Sequence, residues 1–143
     1  MEITNATYCD VPRLAELMEQ LGYKTSEEDM SLRFKNLEKD RNYHTLISKI
    51  EGKVVGMIGL HKGIFYERNG IYVRITAFVI DEEYRGKGIG RKLIQEAELW
   101  AKNQGALAIG LTSGNRKERE LAHQFYRKMG YLDKSIGFGK ELI

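Results

Sequence analysis

The chain has 143 residues, 42% of them hydrophobic and 30% charged, with a formal net charge of +3. These values fit one folded domain spanning 1–143 and exclude a disordered chain. No apolar run approaches the ~20 residues of a membrane span, and one cysteine, Cys9, with three histidines excludes a disulfide framework and supplies no close zinc spacing.

The opening MEITNATYCD has neither a basic n-region nor an apolar h-region, so a cytoplasmic setting is expected. Glu2 to Tyr8 is predicted as a short first strand. Asp10 offers a capping oxygen, Pro12 falls in the first turn, and Val11, Leu14, Leu17, Met18 and Leu21 line one face of a helix that Gly22 stops. Ser26 and Asp29 have capping-box spacing ahead of a second helix through Met30, Phe34 and Leu37. Tyr43–Ile50 and Val54–Leu60 read as a hairpin turning at Glu51-Gly52-Lys53, with Gly56 and Gly59 marking a bulge or close packing. Phe65 to Gly70 reads as a loop, and IYVRITAFVI, Ile71–Ile80, as a central strand. A third helix carries Ile89, Leu93, Ala97, Trp100 and Ala101. A strand follows over Ala106–Leu111, then a fourth helix through Leu121, Phe125 and Met129, and a last strand over Tyr131–Leu142. This order predicts a mixed sheet covered by helices.

Three glycines at alternate positions, Gly86, Gly88 and Gly90, separate the central strand from the third helix. Glycines there let successive backbone N–H groups converge, and the helix start adds positive potential. Arg85, Lys87 and Arg91 bracket the loop with charge that suits phosphate oxygens. The spacing is neither the dinucleotide fingerprint GxGxxG nor the triphosphate loop GxxxxGK[ST]. Lys and Arg alternate with Asp and Glu along the chain, which argues against a nucleic-acid-binding face.

Arg85-Gly86-Lys87-Gly88-Ile89-Gly90 resembles the (Gln/Arg)-x-x-Gly-x-(Gly/Ala) signature of the GNAT (Gcn5-related N-acetyltransferase) superfamily, and AHQFYRKMGY, Ala122–Tyr131, resembles its second signature. The resemblance implies an α/β (α+β) fold whose mixed, mostly antiparallel sheet of six to seven strands is flanked by four helices. It implies acetyl-CoA as cosubstrate with no metal. Backbone N–H groups around Lys87, Gly88, Ile89 and Gly90 would hold the pyrophosphate, and the pantetheine arm would run beside Phe78, Val79 and Ile80. It further implies transfer to a primary amine by direct attack, with a small-molecule acceptor favoured over a protein. Relatives include dimers, so a homodimer is compatible, with neither nucleic acid nor membrane as partner.

Within that frame Tyr126 matches the tyrosine that protonates the leaving thiolate, and a backbone N–H near Val79 is placed to polarise the thioester carbonyl. Glu82 and Glu83 follow the central strand, and Glu67, His61 and Arg74 lie in segments expected to border the acceptor cleft, without singling out a base. Ser31 to Arg41 and Phe65 to Gly70 are expected to wall the acceptor cleft. Arg119 stands where many relatives carry Asn, and either reaches the coenzyme phosphates or caps the site. The alternative is a non-catalytic acyl-CoA sensor, which would keep the glycine loop and need no acid.

Overall fold

The computed structural model describes residues 1–114 and 119–143. The elements are β1 (Glu2–Asn5), α1 (Val11–Leu21), α2 (Glu27–Lys39), β2 (Tyr43–Ile50), β3 (Lys53–Ile64), β4 (Ile71–Ile80), α3 (Ile89–Asn103), β5 (Ala106–Leu111) and α4 (Glu120–Lys128). Single turns of 3-10 helix over Tyr8–Asp10 and Glu82–Tyr84 precede α1 and the glycine loop. The sheet runs in the order β1-β2-β3-β4-β5, with β4 and β5 parallel and every other pair antiparallel.

Two cores sandwich this sheet. On one face Leu14 and Leu17 of α1 and Met30 and Phe34 of α2 pack over Ile47, Val54, Met57 and Val79. On the other, Leu93, Ile94, Ala97 and Ala101 of α3 pack over Leu46, Ile58, Leu60, Val73 and Ile75, joined by Phe125 and Met129 of α4. The helical spacing of apolar residues thus decides which stripe of each helix meets the sheet.

The helix ends follow local chemistry. The Asp29 N–H donates to Ser26 Oγ at 3.0 Å, the cap its spacing predicts. Gly22 takes φ 116° and closes α1, with the Tyr23 N–H donating to the Met18 carbonyl at 3.0 Å. Asp10 acts differently from the sequence expectation. Its carboxylate accepts from the Thr7 N–H at 2.8 Å and does not cap α1, because the intervening 3-10 turn points it back along the chain.

Three boundaries also depart from expectation. β1 ends at Asn5, before that turn. β3 extends to Ile64, because its ladder with β4 continues to the Asn69-Gly70 turn and the Phe65 N–H donates to the Gly70 carbonyl at 3.2 Å. Gly63 permits this: a Cβ there would lie 2.3 Å from the Tyr72 ring. Most consequentially, the sheet has five strands among the described residues, where six to seven are expected, since Tyr131–Leu142 joins no ladder. A tight turn bonds the Lys134 N–H to the Leu132 carbonyl, and Gly137 and Gly139 bring no side chain to a pleated surface. Ile136, Phe138 and Leu142 are exposed in consequence.

Candidate functional site

The site starts from the way β4 is built. Its first half is paired on both sides, by β3 throughout and by β5 from Ile71 to Ile75. The register then slips: Leu60 faces Ile75 but Gly59 faces Ala77, leaving Thr76 as an extra residue. This bulge reverses the faces of the strand. Val73 and Ile75 pack toward α3, whereas Ala77 and Val79 pack toward α1 and α2, and Phe78 and Ile80 fall on the α3–α4 side.

Past Ile75 the β5 side of β4 has no ladder partner among the described residues. The Asp81 N–H donates to the Val55 carbonyl at 2.8 Å. Alternation therefore turns the main-chain groups of Val79 toward β3 and those of Phe78 and Ile80 toward the free edge. The amide sought at Val79 is thus committed to the ladder, and the free N–H groups beside it belong to Phe78 and Ile80. An edge of this kind can pair with an extended ligand carrying amides.

Asp81 fixes the end of that strand. Its carboxylate accepts from Arg13 Nη2 at 2.7 Å and from the Glu83 N–H at 3.0 Å. Arg13, on α1, also donates Nε and Nη2 to the Val54 carbonyl at 2.9 and 2.7 Å and pairs with Glu16. Burial pushes the Asp81 pKa up, but the hydrogen bonds from Arg13 and Glu83 outweigh it and hold the carboxyl below its ordinary value. Sequence reading missed this clamp, because its partners are far apart along the chain.

The glycine loop follows. Gly86 and Gly88 take φ 77° and 82°, the left-handed region that side-chain-bearing residues rarely adopt. Nothing lies within 4 Å of where their Cβ atoms would be, so the constraint is conformational. Gly88 immediately precedes α3, whose first N–H groups, at Ile89, Gly90 and Arg91, have no carbonyl one turn earlier in the helix. Ile89 is buried and pins that first turn to the core. Gly90 faces the aromatic cluster, and a Cβ there would come 3.4 Å from Phe78 and 3.6 Å from Phe125. Arg85 Nε donates to the Ile80 carbonyl at 3.0 Å, tying the loop to the free edge. Lys87 lies 5.3 Å from the Tyr84 ring centre, and Arg91 is exposed. Backbone donors, a helix start and cationic side chains therefore meet at one end of β4, a combination suited to a phosphate-bearing ligand.

Tyr126 packs in the same cluster as Phe78 and Ile80. Its ring centre is 6.3 Å from that of Phe78 and 5.6 Å from that of Phe125. Burial pushes its phenol above the ordinary tyrosine value, and the positive charge of Arg119 opposes the shift. Arg119 sits at the start of α4, and its Nε is buried with no hydrogen-bond partner among the described residues. The remaining signature residues divide by position: Tyr131 bonds through its hydroxyl to Glu98 at 2.9 Å, which anchors α4 to α3. The stretch Ser113-Gly114-Asn115-Arg116, which reads as a turn in the sequence, falls partly outside the described residues.

The base candidates do not converge. His61 packs against Tyr43 with ring centres 4.4 Å apart and planes tilted by 35°, and pairs with Arg74 across the ladder, at the far half of β4 from the glycine loop. Arg74 Nη2 donates to Thr112 Oγ1 at 2.6 Å. Glu82 and Glu83 belong to the turn beside α1, where the Glu82 N–H donates to Gln20 Oε1 at 2.8 Å. Of the two expected walls, α2 contributes Arg33 to a pocket with the α1–α2 connection and Thr76. The Phe65–Gly70 loop carries a fully exposed Tyr66 and packs Arg68 over Phe65. Tyr23, Lys24, Thr25 and Thr76 are pocket residues that sequence reasoning missed. The available signals were the helix stop at Gly22 and the strand-weakening Gly59 opposite the bulge.

Comparison with known proteins agrees with this geometry. The profile described as the Acetyltransferase (GNAT) family matches residues 11–131. An aminoalkylphosphonate N-acetyltransferase of Salmonella typhimurium is 35% identical over 103 residues, which are 72% of this chain and 66% of that protein. An uncharacterized N-acetyltransferase of Methanocaldococcus jannaschii is 29% identical over 104 residues, 72% of this chain and 45% of that one. The matched region thus spans less than two-thirds of either curated relative. A crystal structure of a GNAT family acetyltransferase from Staphylococcus aureus superposes with a TM-score of 0.85 at 35% identity, covering 99% of this chain and 98% of that one. Sequence and fold coincide over the glycine loop, the open strand and α4, and the chain belongs to the GNAT family of acetyltransferases.

Proposed function

We propose that the protein transfers the acetyl group of acetyl-CoA to a primary amine by direct attack within a ternary complex. Family membership brings the acetyltransferase activity and its acetyl-CoA cosubstrate. The observation that carries the finer proposal is the meeting of three parts at one end of β4. These are a free strand edge at Phe78 and Ile80, a glycine loop opening α3, and a half-buried phenol at Tyr126.

The chain's own groups divide the work. The N–H groups of Ile89, Gly90 and Arg91, with Lys87 and Arg91, receive the pyrophosphate, and Gly86 and Gly88 supply the backbone path. Phe78 and Ile80 offer main-chain groups to the pantetheine amides, and one of their N–H groups polarises the thioester carbonyl. As the amine nitrogen bonds to that carbonyl carbon and the carbon–sulfur bond breaks, the Tyr126 hydroxyl gives its proton to sulfur. Burial keeps the phenol protonated until then. The amine gives up its own proton to water. Arg119 sits beside Tyr126 and favours negative charge at the phenol and the departing sulfur. The acceptor is a small molecule and the setting is the cytoplasm.

Titration calorimetry with acetyl-CoA, beside dephospho-CoA and ATP, tests the proposal. Saturable binding of acetyl-CoA at one site per chain, followed by thiol release with an amine, is expected. No binding at millimolar acetyl-CoA overturns it. Tyr126→Phe separates the enzyme from a non-catalytic acyl-CoA sensor: it slows transfer in the first and leaves ligand binding as the whole function of the second.

A further inference from the structure

The pocket of about 640 Å³ at the end of α1 adjoins the bulge of β4. Its lining includes Met18, Tyr23, Lys24, Thr25, Arg33 and Thr76, and none of its lining residues carries a carboxyl group. Thr76 is the bulged residue, two positions from Phe78 and the free edge, so the pocket opens beside the position proposed above for the thioester. It lies on the α1–α2 face of the sheet, opposite α3 and α4.

Two cations, Lys24 and Arg33, line this pocket on exposed side chains, and a hydrogen bond to Thr25 holds Arg33. Thr25 is buried; its Oγ1 donates to the Tyr23 carbonyl at 2.8 Å and accepts from Arg33 Nη1 at 3.2 Å. That leaves the rest of the guanidinium fork uncommitted by any hydrogen bond or ion pair among the described residues. Lys24 likewise enters no ion pair there. A simple amine arrives as an ammonium ion and meets cations with no counter-charge. An amine that also carries an oxyanion meets a guanidinium fork suited to two oxygens, a lysine and threonine hydroxyls.

We propose that this pocket binds an oxyanion on the acceptor, so that the substrate is a small primary amine bearing a phosphate-like or carboxylate group. Arg33 and Lys24 hold the oxyanion, and Thr76 marks where the amine end turns toward the thioester. The proposal rests on the acetyltransferase reading and deepens it.

Two paired comparisons test it with acetyl-CoA as donor: phosphoethanolamine against ethanolamine, and β-alanine against propylamine. The expected result is a kcat/KM at least tenfold higher for the oxyanion-bearing member of a pair. The pair with the larger ratio tells phosphate-like recognition from carboxylate recognition. Arg33→Gln and Lys24→Gln are expected to lower that ratio tenfold or more. Equal or better use of the members without an oxyanion overturns the proposal while leaving the acetyltransferase intact. A readout independent of turnover is the ¹H–¹⁵N spectrum during titration with phosphoethanolamine, in the presence of coenzyme A. Saturable shifts at Tyr23, Lys24, Thr25 and Thr76, lost in Arg33→Gln, support the pocket. Shifts confined to Gly86–Gly90, or none, overturn it.

Discussion

The general acid proposed at Tyr126 joins burial to chemistry at the scale of one side chain. Its phenol is held above the ordinary tyrosine value, so the proton-donating form persists through neutral pH and is lost only as pH rises through that raised value. The rate of transfer is therefore expected to have a basic limb above about pH 10, the unperturbed tyrosine value. Removing Arg119 takes away the one opposing charge, so Arg119→Ala should move that limb to higher pH in a pH–rate profile. Tyr126→Phe should cut kcat by about 10²-fold or more, the lower range for a general acid, with little change in acetyl-CoA affinity by calorimetry. Gly88 tests the loop at the same scale. At φ 82° an alanine costs about 1–2 kcal/mol, and Gly88→Ala should weaken acetyl-CoA binding by roughly tenfold in the same titration.

At the scale of elements, the decisive unit is the end of β4 and what holds it. The bulge at Thr76 frees the edge, and the Arg13–Asp81 clamp prevents that edge from fraying by tying it to α1 and β3. The folded carboxyl of Asp81 titrates below its unfolded value. Its contribution is thus fully present above about pH 4, and is lost as pH falls through the folded pKa. Asp81→Ala should destabilise the protein by about 2–3 kcal/mol in denaturant unfolding at pH 7. That is less than the loss at a fully buried pair, because Arg13 keeps 21% of its side chain exposed. The difference between Asp81→Ala and wild type should shrink at pH 3. Ser26→Ala removes the hydroxyl that accepts from the Asp29 N–H, and should cost about 1 kcal/mol without altering the glycine loop.

At the scale of the whole molecule, two cores share one sheet, and the site lies where the sheet opens between them. Ile58 and Leu93 are fully buried on the α3 side, so Ile58→Ala or Leu93→Ala should each cost about 2–5 kcal/mol in denaturant unfolding. The helices serve different parts of the site. α3 presents its N-terminus, α4 presents Tyr126, and α1 and α2 frame the pocket of Lys24 and Arg33.

The sequence by itself determined the helices, the paired strands, the turn glycines and the loop. Those features depend on periods of 3.6 and 2 and on backbone freedom at single residues, all of which are local. Gly22, Ser26, Gly86 and Gly88 were legible for that reason. It also singled out Tyr126 and Arg119 as candidates, through a resemblance carried by neighbouring residues. Only the tertiary structure decided that Thr76 bulges, that Val79 gives its amide to β3 while Phe78 and Ile80 keep theirs free, and that Tyr131–Leu142 adds no strand. It alone joined Arg13 to Asp81 and gathered Lys24, Arg33 and Thr76 around one pocket. These depend on register and on contacts between distant segments. A single residue's shift in pairing reverses every face that follows, and no local pattern records it.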